Sequence, residues 1–453
     1  VFDEQRYFAP GTEPLSLYVI GGVRVGVSVC EDAWSPTGPI AELAAGGAEL
    51  VVNINASPYF AGRVAGRERM LATRAADASC GLVYVNQVGG QDELVFDGAS
   101  MVFDNNGDLV ARAAQFTEGV FIVDVDVEPV YRKRLLDPRG RLSSPPLPEI
   151  EVSERPVVND DDRPSIVSAL LDPVAEVYAA LVLGTRDYVG KNGFTDVVIG
   201  LSGGIDSSLV ACVATDALGA EHVHGVAMPS RYSSEGSRTH AEELAVALGI
   251  DFRTIAIEPP FVAFLDLLAP SFAGRAPDIT EENLQSRVRG VLLMALSNKF
   301  GWMVLTTGNK SEMAVGYSTL YGDSAGGFAV IKDVPKLLVY ELCRHVNTAA
   351  ARAIVPVAVF TKAPSAELRP DQRDDESLPP YEVLDPILQG YVEDDRTAAE
   401  LIAAGHDEAI VRRIARLVDL AEYKRRQSPP GVRVTPKAFG KDRRLPITNG
   451  YRG

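Results

Sequence analysis

The stretch Val197-Val198-Ile199-Gly200-Leu201-Ser202-Gly203-Gly204-Ile205-Asp206-Ser207-Ser208 decides the fold of the larger part of the chain. A short apolar strand, 197–201, runs into paired glycines, and a helix-prone run, 207–218, follows. Glycines let a backbone approach an anion and aim successive amides at it. The helix start adds unpaired N–H groups and a positive field. The hydroxyls of Ser202, Ser207 and Ser208 can donate to the same anion. The plain alternative is a glycine turn in which Asp206 or Ser207 only caps the helix. The lysine-ending signature of the Walker loop is absent, so this is a phosphate loop of another kind.

Outward from this loop the pattern alternates. Residues 174–191 predict a long helix before it. After it come a strand at 222–228, a helix at 236–248 and a strand at 252–257. Such alternation predicts a doubly wound parallel sheet, Rossmann-like in layout, over residues 166–453. Residues 1–126 form a different α/β unit. A hairpin turns at Gly21-Gly22 within 17–29, and a second turns at Asn105-Asn106-Gly107-Asp108. Between them lie a helix at 39–47, a strand at 49–54, a helix at 67–79 and a strand at 82–87, an order that predicts an α/β sandwich half. Residues 127–165 carry Pro138, Pro145, Pro146, Pro148 and Pro156 among charges and read as a linker or wrapping arm. The chain opens at Val1 inside what reads as the middle of a domain, so a preceding segment is expected.

Composition narrows the partners. Lys plus Arg total 44 against 61 Asp plus Glu, a net charge of −17. That disfavours nucleic acid and anionic membrane surfaces. The four cysteines, 30, 80, 212 and 343, lack paired spacing, so a reducing, cytoplasmic setting is expected. No apolar run reaches the roughly 18 residues of a membrane span.

Further segments downstream look chemical. Glu281-Glu282-Asn283-Leu284-Gln285-Ser286-Arg287-Val288-Arg289 offers two arginines suited to bidentate phosphate or carboxylate contact. A solvated helix start is its alternative. Thr306-Thr307-Gly308-Asn309-Lys310-Ser311-Glu312 follows the apolar run 303–305, again placing a small-residue turn at a strand's carboxyl end. Glu312 and Asp206 form a natural carboxylate pair for Mg²⁺, which takes one or two carboxylates plus phosphates. Residues 362–368 and 370–376 are polar and proline-broken, as suits a lid. A basic run, Tyr423-Lys424-Arg425-Arg426-Gln427-Ser428-Pro429-Pro430-Gly431, lies near the end; in an acidic protein it is worth noting, although such a run is usually only a solvated face.

The loop SGGIDSS resembles that of the pyrophosphatase-loop ATP enzymes, which cleave ATP between the α- and β-phosphates. Together with ENLQSRVR, TTGNKSE, GYSTLYGDSAGGF, PSAEL and KRRQSPPGVRVTPKAFGKDRRLPITNG it resembles the synthetase domain of NAD synthetases, continuously over about residues 165–450. The resemblance implies ATP-dependent amidation of deamido-NAD through an adenylated intermediate, with Mg²⁺. It implies that Leu201, Ser202, Gly203, Gly204, Ile205, Asp206, Ser207, Ser208 and Thr307 bind ATP. Asp206 and Glu312 would hold the metal. Asn283, Arg287, Arg289, Glu312, Asp323 and Lys424 would meet deamido-NAD, and Lys336 and Ser365 would lie at the reacting carboxylate and phosphate.

In the first unit VSVCEDAW, NASPYFAGR and VYVNQVGGQDELVFDGASMVFDNNG resemble the nitrilase-type amidase fused to glutamine-dependent NAD synthetases. Read alone, Cys30 past its strand is either a buried structural thiol or a nucleophile for a glutamine amide. The resemblance makes it the nucleophile of a Glu–Lys–Cys triad, with Ser57 and Arg63 holding glutamine. Glu4 matches an accessory glutamate. The family's catalytic Glu and Lys lie upstream of Val1. The expectation is therefore that glutamine supports little activity in the chain as it stands, whereas ammonia still serves. The family also implies a homo-oligomer. The competing readings are an ammonia-dependent synthetase with an inactive amidase half, and another pyrophosphatase-loop enzyme such as a GMP synthetase or tRNA thiolase.

Overall fold

The computed structural model describes residues 6–9, 11–136, 145–154, 165–370, 372, 378–448 and 450. Glu4, parts of the 127–165 arm and most of 371–377 lie outside them. The chain divides into two compact units, the second comprising residues 172–453 with 59–61 and 89–95.

The first unit is built on β1 (Leu17–Ile20), β2 (Val23–Val29), α1 (Pro39–Ala45), β3 (Leu50–Asn55), α2 (Arg63–Ala78) and β4 (Gly81–Asn86). Next along the chain is a hairpin of β5 (Val88–Gln91) and β6 (Leu94–Asp97), whose residues 89–95 belong to the second unit. Then come β7 (Met101–Phe103), β8 (Leu109–Arg112), α3 (Glu128–Leu136) and β9 (Glu149–Ser153). Seven strands form one sheet in the order β8-β7-β4-β3-β2-β1-β9. Strands β2, β3 and β4 run parallel. The stretch read as an arm supplies α3 and the edge strand β9, which pairs parallel with β1. Strand period puts Val51, Leu82 and Tyr84 inward, where they pack with Leu43 of α1 and Leu71 of α2. The opposite face carries Val27, Val29, Ile54 and Val85 in register, all exposed. This is one sheet with one helical layer, the expected sandwich half.

The second unit starts with α4 (Pro173–Lys191), whose Asp172 caps it and whose proline sits at the tolerated first position. It continues through β10 (Val197–Gly200), α5 (Ile205–Leu218), β11 (Val223–Ala227), α6 (Glu235–Leu248), β12 (Asp251–Thr254), α7 (Glu258–Leu268), α8 (Ile279–Phe300), β13 (Met303–Thr306), α9 (Lys310–Val315) and β14 (Phe328–Ala329). It ends in α10 (Lys336–Ala349), α11 (Tyr381–Leu388), α12 (Ala398–Ala403), α13 (Glu408–Leu420) and α14 (Glu422–Arg425). The five strands are parallel in the order β12-β11-β10-β13-β14. The order reverses between β10 and β13. Ligands of open parallel sheets bind outside the strand ends at such a switch point, and the two motifs read as chemical follow β10 and β13. Val198, Val226, Val288, Trp302 and Val304 fill one core. Leu384, Ile387, Val411, Ile414 and Val418 fill a second, helical one.

Strand and helix ends differ by up to four residues from the sequence expectation. Helix α2 begins at Arg63 rather than 67, with Gly66 inside the helix. His222 belongs to a tight turn before β11, and both His222 and His224 face Asp196, at 3.6 and 3.0 Å. Among the described residues no helix is long and apolar enough to cross a membrane.

Candidate active sites

In the first unit the carboxyl ends of β2, β3 and β4 gather the predicted residues. Cys30 opens a tight turn directly after β2, at a φ of 46°. The left-handed conformation at a strand-to-helix turn resembles a nucleophile elbow, which exposes a side chain at the top of a sheet. Asp32 closes the turn by accepting the Val29 N–H at 2.9 Å. Cys30 is partly exposed, while Cys80, Cys212 and Cys343 are buried. Past β3, buried Ser57 donates its N–H to Asn86 Oδ1 at 2.9 Å. Asn86 in turn donates to Gly98 O and Asp97. Asp97 is paired at 2.9 Å with Arg67, and both side chains are fully buried. The Arg63 guanidinium lies 4.2 Å from the Trp34 ring centre. A buried polar ladder therefore fixes the loop that carries Ser57.

In the second unit the predicted phosphate loop turns at Gly203, with φ 72°, into the start of α5. Ser207 and Ser208 hydroxyls fold back on Gly204 O at 3.0 and 2.9 Å. Asp206 lies in the first turn of α5. Asn309 caps α9, and its Nδ2 donates to Asp206 Oδ1 at 2.9 Å. Glu312, three residues on, completes a capping box with Asn309. Between these carboxylates sits Lys336, whose Nζ donates to Asp206 at 2.5 Å and stands 3.7 Å from Glu312. Lys336 is 2% exposed. Burial alone pulls its ammonium towards neutrality, and Asp206 and Glu312 reverse this, raising its pKa.

The remaining predicted residues split into groups. Asp323 accepts from Ser286 Oγ and Thr319 N, and Asn283 accepts from Thr319 Oγ1. Arg287 donates to Leu320 O. Lys424 donates to Gly316 O and Ser318 O, both at 2.7 Å. These side chains thus organise the 316–324 loop around α8. Arg289 donates instead to Met228 O, at the end of β11. Thr307 follows β13, and Ser365 donates to Gln372 O within its own loop.

Sequence reasoning overlooked Asn309, Lys310 and Ser311. Lys310 is a buried hub, donating to Glu393, Thr435 and Lys437 O and paired at 3.0 Å with Asp333. Ser311 donates to Asp385 and receives the Lys336 N–H. The Asn-x-x-Glu spacing of a capping box was the available signal for Asn309.

Two family models match: carbon-nitrogen hydrolase over residues 1–134 and NAD synthase over 177–428. The glutamine-dependent NAD(+) synthetase of Thermotoga maritima is 50% identical over 456 residues, spanning all of this chain and 79% of that protein. The chain belongs to the glutamine-dependent NAD(+) synthetases. The synthetase of Aquifex aeolicus is 48% identical, again over all of this chain and 79% of the relative. The solved glutamine-dependent NAD(+) synthetase of Acinetobacter baumannii, in complex with ADP, is 42% identical with a TM-score of 0.69. That match covers 99% of this chain and 77% of that one. The paired hydrolase and synthase matches set these synthetases apart from the GMP synthetase and thiolase readings, and they favour a glutamine-dependent over an ammonia-dependent enzyme.

Proposed function

We propose that the second unit binds ATP on Leu201–Ser208 and Thr307 and activates the nicotinate carboxylate of deamido-NAD by adenylation. The buried Lys336 ammonium between Asp206 and Glu312 carries this reading, because it lies beside a phosphate loop at the sheet's switch point. A carboxylate is a poor electrophile. Its oxygen attacks the α-phosphorus, the bond to the β-phosphate breaks, and pyrophosphate leaves. Ammonia then attacks the acyl carbon, AMP departs and a proton is released. Lys336 offsets negative charge as it builds on the phosphates. The 2.7–3.3 Å bonds that hold Asn283, Arg287, Asp323 and Lys424 to the 316–324 loop and α8 support a substrate pocket there.

Asp206 and Glu312 fit Mg²⁺. They are hard oxygen donors already gathered around a cation, beside a loop that takes phosphates, where bare carboxylates would repel the ligand. Mg²⁺ bound there would neutralise phosphate oxygens during α–β cleavage. In the first unit Cys30 attacks the glutamine side-chain amide, forms a thioester and releases the ammonia, with Ser57 and Arg63 holding the glutamine.

Lys336→Met tests the synthetase half. With ammonium as nitrogen source, NAD formation should fall by about a hundredfold or more, as for loss of a charge stabiliser at a phosphoryl centre. An unchanged rate would remove Lys336 from the reacting site and with it the main support for this reading.

A further inference from the structure

Glu367 lies two residues beyond Ser365, at a φ of 49° that side chains rarely adopt. Its carboxylate accepts from Ser234 N at 3.2 Å, Ser234 Oγ at 2.8 Å, Ser237 Oγ at 2.7 Å and Lys362 Nζ at 3.0 Å. Ser234 is the N-cap of α6 and Ser237 lies in its first turn. That turn abuts the phosphate loop. A Cβ placed on Gly203 would stand 2.1 Å from Ser237 O. Lys362 also donates to Ser237 Oγ.

The far side of the Ser365 segment is tied as well. Gln285 of α8 donates to Leu368 O at 2.8 Å, and Leu368 N donates to Gln372 Oε1 at 2.8 Å. Glu367 N donates to Ser365 Oγ at 3.1 Å. One carboxylate thus joins the Ser365 segment, Lys362 and the helix turn that backs the phosphate loop. Burial acts to raise the Glu367 pKa, and the bonds from Ser237 and Lys362 overcome it, leaving the group below its usual range and charged.

We propose that Glu367 is a positioning residue for adenylation, holding Ser365 and Lys362 in fixed register with the phosphate loop. The proposal rests on the synthetase reading above. Misplacing reacting partners by about 1 Å can lower a rate about a hundredfold. Loss of the charge should therefore appear in kcat more than in folding.

The test uses the full chain with deamido-NAD, Mg-ATP and ammonium, and compares E367Q and E367D. E367Q should lose about ten- to hundredfold in kcat, with a smaller change in the KM for ATP and an unchanged melting temperature. E367D, which keeps the charge, should fall between E367Q and the unsubstituted chain. Full kcat in E367Q would overturn the assignment. So would a loss shared equally by E367D and matched by a lowered melting temperature, which marks a purely structural residue. An unsubstituted chain that makes no NAD would instead sink the amidation reading and not Glu367 alone.

Discussion

Cys30 and the other three cysteines differ in ways that a reagent can read. Cys30 is partly exposed and held in a left-handed turn; the others are buried. Burial pushes the Cys80 thiol up to about 11 and raises Cys212 and Cys343 as well. The thiolate is the reactive form, so burial protects these three twice. At mildly alkaline pH an aromatic disulfide reagent should therefore titrate one thiol in the native chain and all four after denaturation. Cys30→Ser should abolish the native signal. Persistence of that signal would place the accessible thiol elsewhere. At this scale the sequence was legible only in part. Asp206, Glu312 and Cys30 stand in segments whose residue types suit the chemistry proposed for them, whereas Lys336 was implied by the resemblance alone. Their partners were hidden, because Asp206 and Lys336 are 130 residues apart and Asp206 and Asn309 are 103 apart. No local pattern pairs such groups; the sheet's crossover does.

The loop proposed to bind phosphate shows the same physics at the level of an element. Gly203 has φ 72°, and an added Cβ would meet Ser237 O at 2.1 Å. Gly203→Ala must distort either the loop or the start of α6. The expected loss is on the order of 2 kcal/mol or more, with nucleotide binding lost. Gly190 is the control. It is exposed within α4 and has nothing within 4 Å of an added Cβ. Gly190→Ala should leave binding intact and stabilise by about 0.5–1 kcal/mol. Melting curves with and without ATP separate the two, and equal behaviour would contradict the loop's role. The strand–glycine–helix signal made this element readable because it is entirely local. The strand Glu149–Ser153 was not readable in this way. It lies in a proline-bearing stretch, and its partner Leu17–Ile20 is far off in sequence. Helix α2 extends one turn before the Ala- and Arg-rich run 67–79, because burial of Val64, Arg67 and Leu71 on one face holds the added turn helical.

Across the whole chain, the sequence divided into two α/β units because each carries its own periodicity and its own turn residues, and two compact units are found. The hydrolase and synthase family matches fall on the same two parts. The central claim is that the second unit amidates deamido-NAD by way of AMP transfer. The most direct measurement incubates the chain with deamido-NAD, Mg-ATP and ammonium and quantifies every product. Ammonium isolates the second unit from the source of nitrogen. Equimolar NAD, AMP and pyrophosphate is the expected result. ADP and inorganic phosphate in place of AMP and pyrophosphate, or no NAD from folded chain that binds ATP, would contradict it.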